Sequence, residues 1–313
     1  MLQIKISDNY QYNTGLNTML LKSCTGLTIK DKFFLSILKS SYLSLRVGTR
    51  IIFGREKRNK IFSEKKIDFS DYISRFIGSN TLIEFDVSKY GYRSYCRPFN
   101  SFHDLIIMTT HEADMLQLFR PQDGDIVVDV GSYIGKYTLT SSNRVGIKGK
   151  VVAIEGDKFY FEILNKNLKL NKTTNVTALN CMVFSKEGSI TMEELLGRDL
   201  DNLEKMQYAK TRFNVNTLDN LLIKQCGINE VNWIKIDVEG AELEVLKGAH
   251  NILTNSKRIK LQIEIHGVSH LYKPIAEFLH RYNFKITFEK EIEEYKSGDR
   301  RGATQIIAEK TPN

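Results

Sequence analysis

The chain has 313 residues, room for one large domain with an appendage or for two modest domains, and its 42% hydrophobic and 26% charged residues are the composition of a soluble globular protein. Residues 1–60 carry 11 Lys and Arg against 3 Asp and Glu, so they hold the whole formal net charge of +8 and the rest of the chain is balanced. The four cysteines, Cys24, Cys96, Cys181 and Cys226, make no C-x-x-C pair and meet no histidine at finger spacing, which argues against structural zinc and a disulfide framework and points to a reducing cytoplasm.

Residues 1–66 read as a basic N-terminal extension. Residues 1–21 lack the apolar core of a leader, and the apolar run at 33–47 is interrupted by Lys39 and too short to span a bilayer, so no transmembrane helix is expected. Residues 33–39 and 42–46 suit amphipathic helices ahead of the basic run 55–60. An apolar stripe of this kind is read first as packing against the main domain; a peripheral contact of residues 1–60 with the inner membrane surface is the alternative. Residues 67–120 lead into the core: a short helix at 68–77, a hairpin of strands 81–87 and 92–96 about Lys89-Tyr90-Gly91, and a helix at 106–119 carrying His111, Glu112 and Asp114.

The third segment, 121–313, opens on Asp125-Ile-Val-Val-Asp129-Val-Gly131-Ser-Tyr133-Ile-Gly135. Its apolar run suits a strand covered on both faces, Gly131 lets the backbone turn, and Gly135 lets the following helix approach the strand. Tyr133 stands where the second glycine of a dinucleotide fingerprint would admit a pyrophosphate, which disfavours NAD and leaves a nucleoside ligand without a diphosphate, such as S-adenosylmethionine. About 20 residues on, Lys150-Val-Val-Ala-Ile-Glu155 is a second strand ending in an acid, placed to bind two ribose hydroxyls or to cap a helix at 159–170.

A strand at 176–180, turn signals at Lys186-Glu187-Gly188 and a polar stretch at 197–210 come next. Helix 218–225, strand 233–237, helix 241–253, which Gly248 and the following residues could fray or end, strand 259–265, helix 274–282 and strands 284–288 and 303–308 complete the pattern. This alternation predicts an α/β fold with a doubly wound, mostly parallel sheet, closed by an antiparallel pair at one edge. Trp233-Ile-Lys-Ile-Asp237-Val-Glu239-Gly-Ala-Glu242 is a third acid-ended strand, and Asp237 either faces the ligand crevice or caps the next helix.

Together, Val127-Val-Asp129-Val-Gly131-x-x-x-Gly135-x-x-Thr138, Val152-Ala-Ile-Glu155, Asn216-Thr-Leu-Asp219 and Ile234-Lys-Ile-Asp237-Val-Glu239-Gly-Ala-Glu242 with Val245-Leu-Lys-Gly248 resemble the FkbM family of S-adenosylmethionine-dependent methyltransferases. The resemblance implies a Rossmann-like class I methyltransferase fold in which Asp129, Gly131, Gly135 and Glu155 hold S-adenosylmethionine. Tyr133 sits in the glycine turn, where many relatives carry a small polar residue or histidine. Asn180, Cys181 and Met182 would lie by the adenine. Family members resemble O-methyltransferases acting on sugars, glycoconjugates or polyketides, so the expected partner is a small-molecule or glycan acceptor. Methyl transfer to a weakly acidic hydroxyl calls for a base, and the candidates are Asp237, Glu239 and His266; Asp237 could instead orient the methionine half of the cofactor. No metal is required, although Asp237, Glu239 and Glu264 could in principle gather a hard cation. No nucleic-acid partner is expected, for want of an Asn-Pro-Pro-Tyr-like motif. A nucleic-acid methyltransferase and a non-catalytic binding protein on the same fold are the alternatives.

Overall fold

A computed structural model of the protein describes residues 82–87, 90–97, 103–109, 111–191, 194, 212–266, 268–292 and 303–310. The expected N-terminal extension, the helix at 68–77 and the polar stretch at 197–210 lie outside these residues. The chain divides into two compact units, Met1–Ala113 and Asp114–Asn313.

In the first unit β1 (Ile83–Val87) pairs antiparallel with β2 (Tyr92–Cys96), Ile83 opposite Cys96 and Val87 opposite Tyr92. Burial alternates along both strands, the period-2 signature of a hairpin with one covered face. Asp104, in α1 (His103–Thr109), is fully buried and accepts from the Arg97 backbone amide, Nε and Nη2 at 2.7–2.9 Å, a forked ion pair that ties the helix to the end of the hairpin. The single helix expected at 106–119 is two: α2 (Ala113–Leu118) follows a break in which Glu112 takes φ 49 and the His111 amide reaches back to Ile106 O.

The second unit is built on β3 (Ile126–Val130), β4 (Lys150–Glu155), β5 (Val176–Asn180), β9 (Trp233–Ile236), β10 (Lys260–His266), β11 (Phe284–Ile292) and β12 (Ala303–Lys310). Their order across the sheet is β11-β12-β10-β9-β3-β4-β5, with β10, β9, β3, β4 and β5 all parallel and β12 antiparallel to both its neighbours. The expected doubly wound, mostly parallel sheet with an antiparallel closing pair is therefore formed. The chain leaves β3 for β4 and β5 on one side and returns to β9 on the other, so the strand order reverses between β3 and β9. Open α/β sheets bind ligands beyond the carboxyl ends of such strands.

Val128, Val130, Ile234, Ile236, Ile263 and Ile265 turn one face of the sheet into the main core, against α5 (Glu242–Lys247), α6 (His250–Asn255) and α7 (Val268–Arg281). The opposite face takes α3 (Lys136–Val145), whose Tyr137 packs edge-on to Phe119; Phe119 in turn meets Trp233. The helix α4 (Lys158–Leu170) starts at Asp157, whose carboxylate accepts from the Phe159 and Tyr160 amides.

Four further sequence readings are corrected. The helix at 241–253 is broken at Gly248-Ala249 into α5 and α6, each too short to hold without the core beneath it. The helix at 218–225 is a π-helical turn, Asn220–Gln225. The helix expected from residue 274 begins at Val268 and takes Pro274 inside it. The excursion after β5 is a second sheet, β6-β8-β7, made of β6 (Met182–Val183), β7 (Gly188–Thr191) and β8 (Arg212–Asn216), over its own small cluster of Phe184, Ile190 and Val215.

Candidate active site

The sequence after β3 turns in left-handed backbone three times in five residues: Gly131 at φ 79, Tyr133 at φ 52 and Gly135 at φ 104. Gly131 is needed there for a second reason. A Cβ on it would overlap the carbonyl oxygen of Asp237 and come within 2.9 Å of the carbonyl carbon, so the ends of β3 and β9 touch backbone to backbone at the point where strand order reverses. A Cβ on Gly135 would press on Leu164 at 2.7 Å, so the close approach made there is to the helix α4 (Lys158–Leu170) and not, as expected from the sequence, to the strand.

Glu155, at the end of β4, is the bracket of this turn. Its Oε2 accepts from the Tyr133 amide and its Oε1 from the Asp157 amide, both at 2.8 Å. Burial, only partly offset by those two amides, pushes its carboxyl up to about 7. The cap of α4 is Asp157, which removes the capping alternative for Glu155. Tyr133 holds a non-glycine residue in strained backbone, and its ring lies against Tyr160 with centroids 4.4 Å apart. The Asn180 side-chain amide donates to Glu155 O at 2.8 Å and to Gly156 O at 3.2 Å, and Met182 fills the space a Gly156 side chain would need. Asp129 is buried beneath the turn: Oδ2 accepts from the Thr138 hydroxyl at 2.6 Å, while Oδ1 has no hydrogen-bond partner among the described residues. Burial raises the Asp129 carboxyl as well.

A second group of side chains lies at the ends of β9 and β10. Asp237 accepts from Lys235 Nζ at 2.9 Å through Oδ2, and Lys235 is itself buried over the Tyr137 ring. The helix α5 has Ala241 as its N-cap with no side-chain bond, so Asp237 is not a cap. His266 stands among four carboxylates, at 3.0 Å from Glu242, 3.4 Å from Glu264, 3.6 Å from Glu239 and 4.0 Å from Asp237. Burial disfavours a charged ring, yet these carboxylates outweigh it and hold the imidazole well above its ordinary pKa; burial opposes ionisation of Glu264, yet His266 draws its carboxyl well below the usual range. Glu239, in left-handed backbone at φ 56, points its side chain outward with 80% of it exposed.

Three of the catalytic candidates thus meet: Asp237, Glu239 and His266 have ligand atoms all within 4.8 Å of one another. Lys235, Glu242, Gln262 and Gln305 were not singled out from the sequence. Gln262 donates to the Tyr137 hydroxyl at 2.6 Å and Gln305 to Glu264 Oε2 at 2.8 Å. The signal for most of them was present. Ile234-Lys-Ile-Asp237 and Leu261-Gln-Ile-Glu-Ile-His266 alternate apolar and polar with period 2, which marks a polar layer on one face of two central strands.

The family model described as the Methyltransferase FkbM domain matches residues 129–286, half of the chain and the whole span from the glycine turn to β11. The chain belongs to the FkbM methyltransferase family. Its sheet is the S-adenosylmethionine-dependent methyltransferase domain of that family, and the cofactor is S-adenosylmethionine. Among curated relatives, the hexuronic acid methyltransferase AglP of Haloferax volcanii is 28% identical over 155 residues, covering 49% of this chain and 62% of its own. Methyltransferase sdnD of Sordaria araneosa is 26% identical over 174 residues, covering 45% of this chain and 66% of its own. The chain therefore spans about two thirds or less of the length of these relatives. Among solved structures, Trm5b of Pyrococcus abyssi is similar with a TM-score of 0.46 at 14% identity, covering 74% of this chain and 56% of that one. Among the described residues of this FkbM protein no helix is long and apolar enough to cross a membrane.

Proposed function

We propose that this FkbM-family protein methylates a hydroxyl of a glycan, glycoconjugate or related small molecule. The observation that carries the reading is the meeting of two devices at one edge of the sheet. Gly131 brings the nucleoside turn against Asp237, and Asp237 belongs to the carboxylate–imidazole cluster. Gly131, Tyr133 and Gly135 shape the turn, Glu155 offers each oxygen's second lone pair to a ribose hydroxyl, and Asn180 and Met182 line the exit of β5 toward the adenine. The orphaned Asp129 Oδ1 leaves an acceptor beneath the turn for the same ligand.

S-adenosylmethionine supplies an electrophilic methyl group on a sulfonium. Asp237 would take the hydroxyl proton as the acceptor oxygen gains the methyl group that the cofactor would supply, its sulfonium leaving as the neutral thioether. Lys235 fixes Asp237, and His266 offsets the mutual repulsion of the neighbouring carboxylates. Glu239, exposed at the rim, is placed to meet the acceptor. The name of AglP supports a sugar acid as the kind of acceptor. The basic residues 1–60 are proposed to deliver acceptor or protein to an anionic surface of the cytoplasmic membrane.

The experiment is mass spectrometry of glycans, lipids and nucleic acids from cells with and without the protein, joined to assays of Asp237→Asn. An added methyl on a glycan or glycolipid is expected, with Asp237→Asn slowing turnover ~100-fold while methyl-donor binding holds. An increment confined to nucleic acid, or full turnover by Asp237→Asn, overturns the reading.

A further inference from the structure

We propose that Asp237, Glu239 and His266 form a divalent-cation site. Ligands around one small ion sit about 2.0–2.4 Å from it, so opposed ligands lie at most about 4–5 Å apart. The three donor atoms, all within 4.8 Å of one another, already meet that limit.

The groups around them are set as a metal site requires. Lys235 occupies Asp237 Oδ2 and leaves Oδ1 toward the ring. Glu242 Oε1 lies 3.0 Å from His266 Nδ1, the carboxylate–imidazole contact that orients a ring and commits its other nitrogen, Nε2, to a ligand. That nitrogen lies between Glu264 Oε1 at 3.4 Å and Glu239 Oε2 at 3.6 Å. Gln305 likewise occupies Glu264 Oε2, so the carboxylates of β9 and β10 are each fixed through one oxygen.

A second observation is independent of this geometry. Glu242 is completely buried, yet its Oε2 has no hydrogen-bond partner among the described residues, a cost that a neighbouring positive charge would offset. Four carboxylates, those of Asp237, Glu239, Glu242 and Glu264, stand in contact with Lys235 and His266 as the cationic side chains among the described residues. With His266 neutral as a ligand, three negative charges are left, of which a divalent ion offsets two in one place. Two carboxylates with one imidazole suit an ion such as Mn²⁺ that accepts both donor types, in preference to Ca²⁺. An ion there would bind an acceptor hydroxyl and lower its pKa, which deepens the proposed function and in that respect rests on it.

The test needs no acceptor. Full-length protein treated with chelator and dialysed is titrated with Mn²⁺ and followed by the paramagnetic resonance of the free ion, alongside thermal unfolding with and without Mn²⁺. One saturable equivalent is expected, with a rise in melting temperature. Glu239→Gln, a change at an exposed side chain that leaves folding intact, should weaken the site about tenfold or more, and His266→Ala should remove it. Glu162→Gln, an exposed carboxylate on α4, should bind as the parent does. No saturable binding, or binding indifferent to both Glu239→Gln and Asp237→Asn, overturns the site. If Mn²⁺ binds as expected and no hydroxyl is methylated, the proposed function fails and the site stands. Methylation by a chelated protein that binds no Mn²⁺ removes the site and leaves the proposed function standing.

Discussion

Gly131→Ala probes the contact on which the site depends. Two costs are separable. A non-glycine residue at φ 79 carries roughly 1–2 kcal/mol of backbone strain. The new methyl would also overlap the Asp237 carbonyl, which is backbone and cannot swing aside, so β3 and β9 must part at their ends. That movement adds about 1–3 kcal/mol of overpacking. It also stretches the bond from the Asp237 amide to Val130 O, now 3.0 Å, for about 1 kcal/mol more. The expected loss is roughly 3–6 kcal/mol, a large part of a typical domain's stability. Gly124→Ala is the control, because Gly124 has φ 85 and nothing within 4 Å of an added Cβ, so it carries the backbone cost alone. Urea unfolding of the two variants against the parent reads the difference as midpoint shifts at constant slope. Calorimetric titration with S-adenosylmethionine should show binding lost in Gly131→Ala and kept in Gly124→Ala. Equal midpoint shifts for the two variants would refute the argument that the strand ends touch.

Because burial holds the Glu155 carboxyl near 7 and the ribose hydroxyls need the ionised form, methyl-donor affinity should fall about tenfold per pH unit below that value and level off above it. Glu155→Gln should bind weakly with no such slope; a flat profile for the parent across this range would remove Glu155 from the ribose. Asp104→Ala strands the buried Arg97 guanidinium and should destabilise the first unit by about 3–5 kcal/mol, whereas a loss under about 1 kcal/mol in denaturant unfolding would show that the pair is not desolvated. Asp157→Ala removes two hydrogen bonds at the start of α4 and should lower stability by about 1 kcal/mol in the same measurement, with donor affinity reduced less than by Glu155→Gln.

The sheet was legible because β3 and β4 are short apolar runs that stop at acids or turns, the mark of a strand buried on both faces, while β9 and β10 alternate apolar with polar residues before ending at Asp237 and His266. Helix continuity was legible only in part. Gly248 marks a place where the helix 241–253 could fray or end, and what requires a glycine there is packing: a Cβ on Gly248 would come within 3.2 Å of the Phe184 carbonyl carbon, from another part of the chain. The β6-β8-β7 sheet escaped for a related reason. Strands of 2–5 residues carry too few positions to show a period, and β6 and β8 are joined by register alone, Met182 opposite Val215. In the site, the strand-end acids and His266 could be read from their positions. Glu242 could not, because a carboxylate in the first turn of a helix ordinarily faces water, and here the ring of His266 takes it inward.

The placement of β12 between β10 and β11 bears on how the protein comes to be active during synthesis. A nascent chain that has displayed everything through β11 still lacks the strand that joins β11 to the sheet, and β10 waits with an open edge. Glu264 is then without Gln305, and the end of β10 at His266 is without its pair at Ala303. The carboxylate–imidazole cluster therefore comes into register only once residues 303–310 have emerged and inserted, a long-range closure that is slow compared with helix formation. A chain halted before residue 303 carries every residue of the cluster but not the strand that sets them, and leaves the edge of β10, beside the cluster, open to other chains. Acquisition of the reacting centre and the covering of β10 are one event.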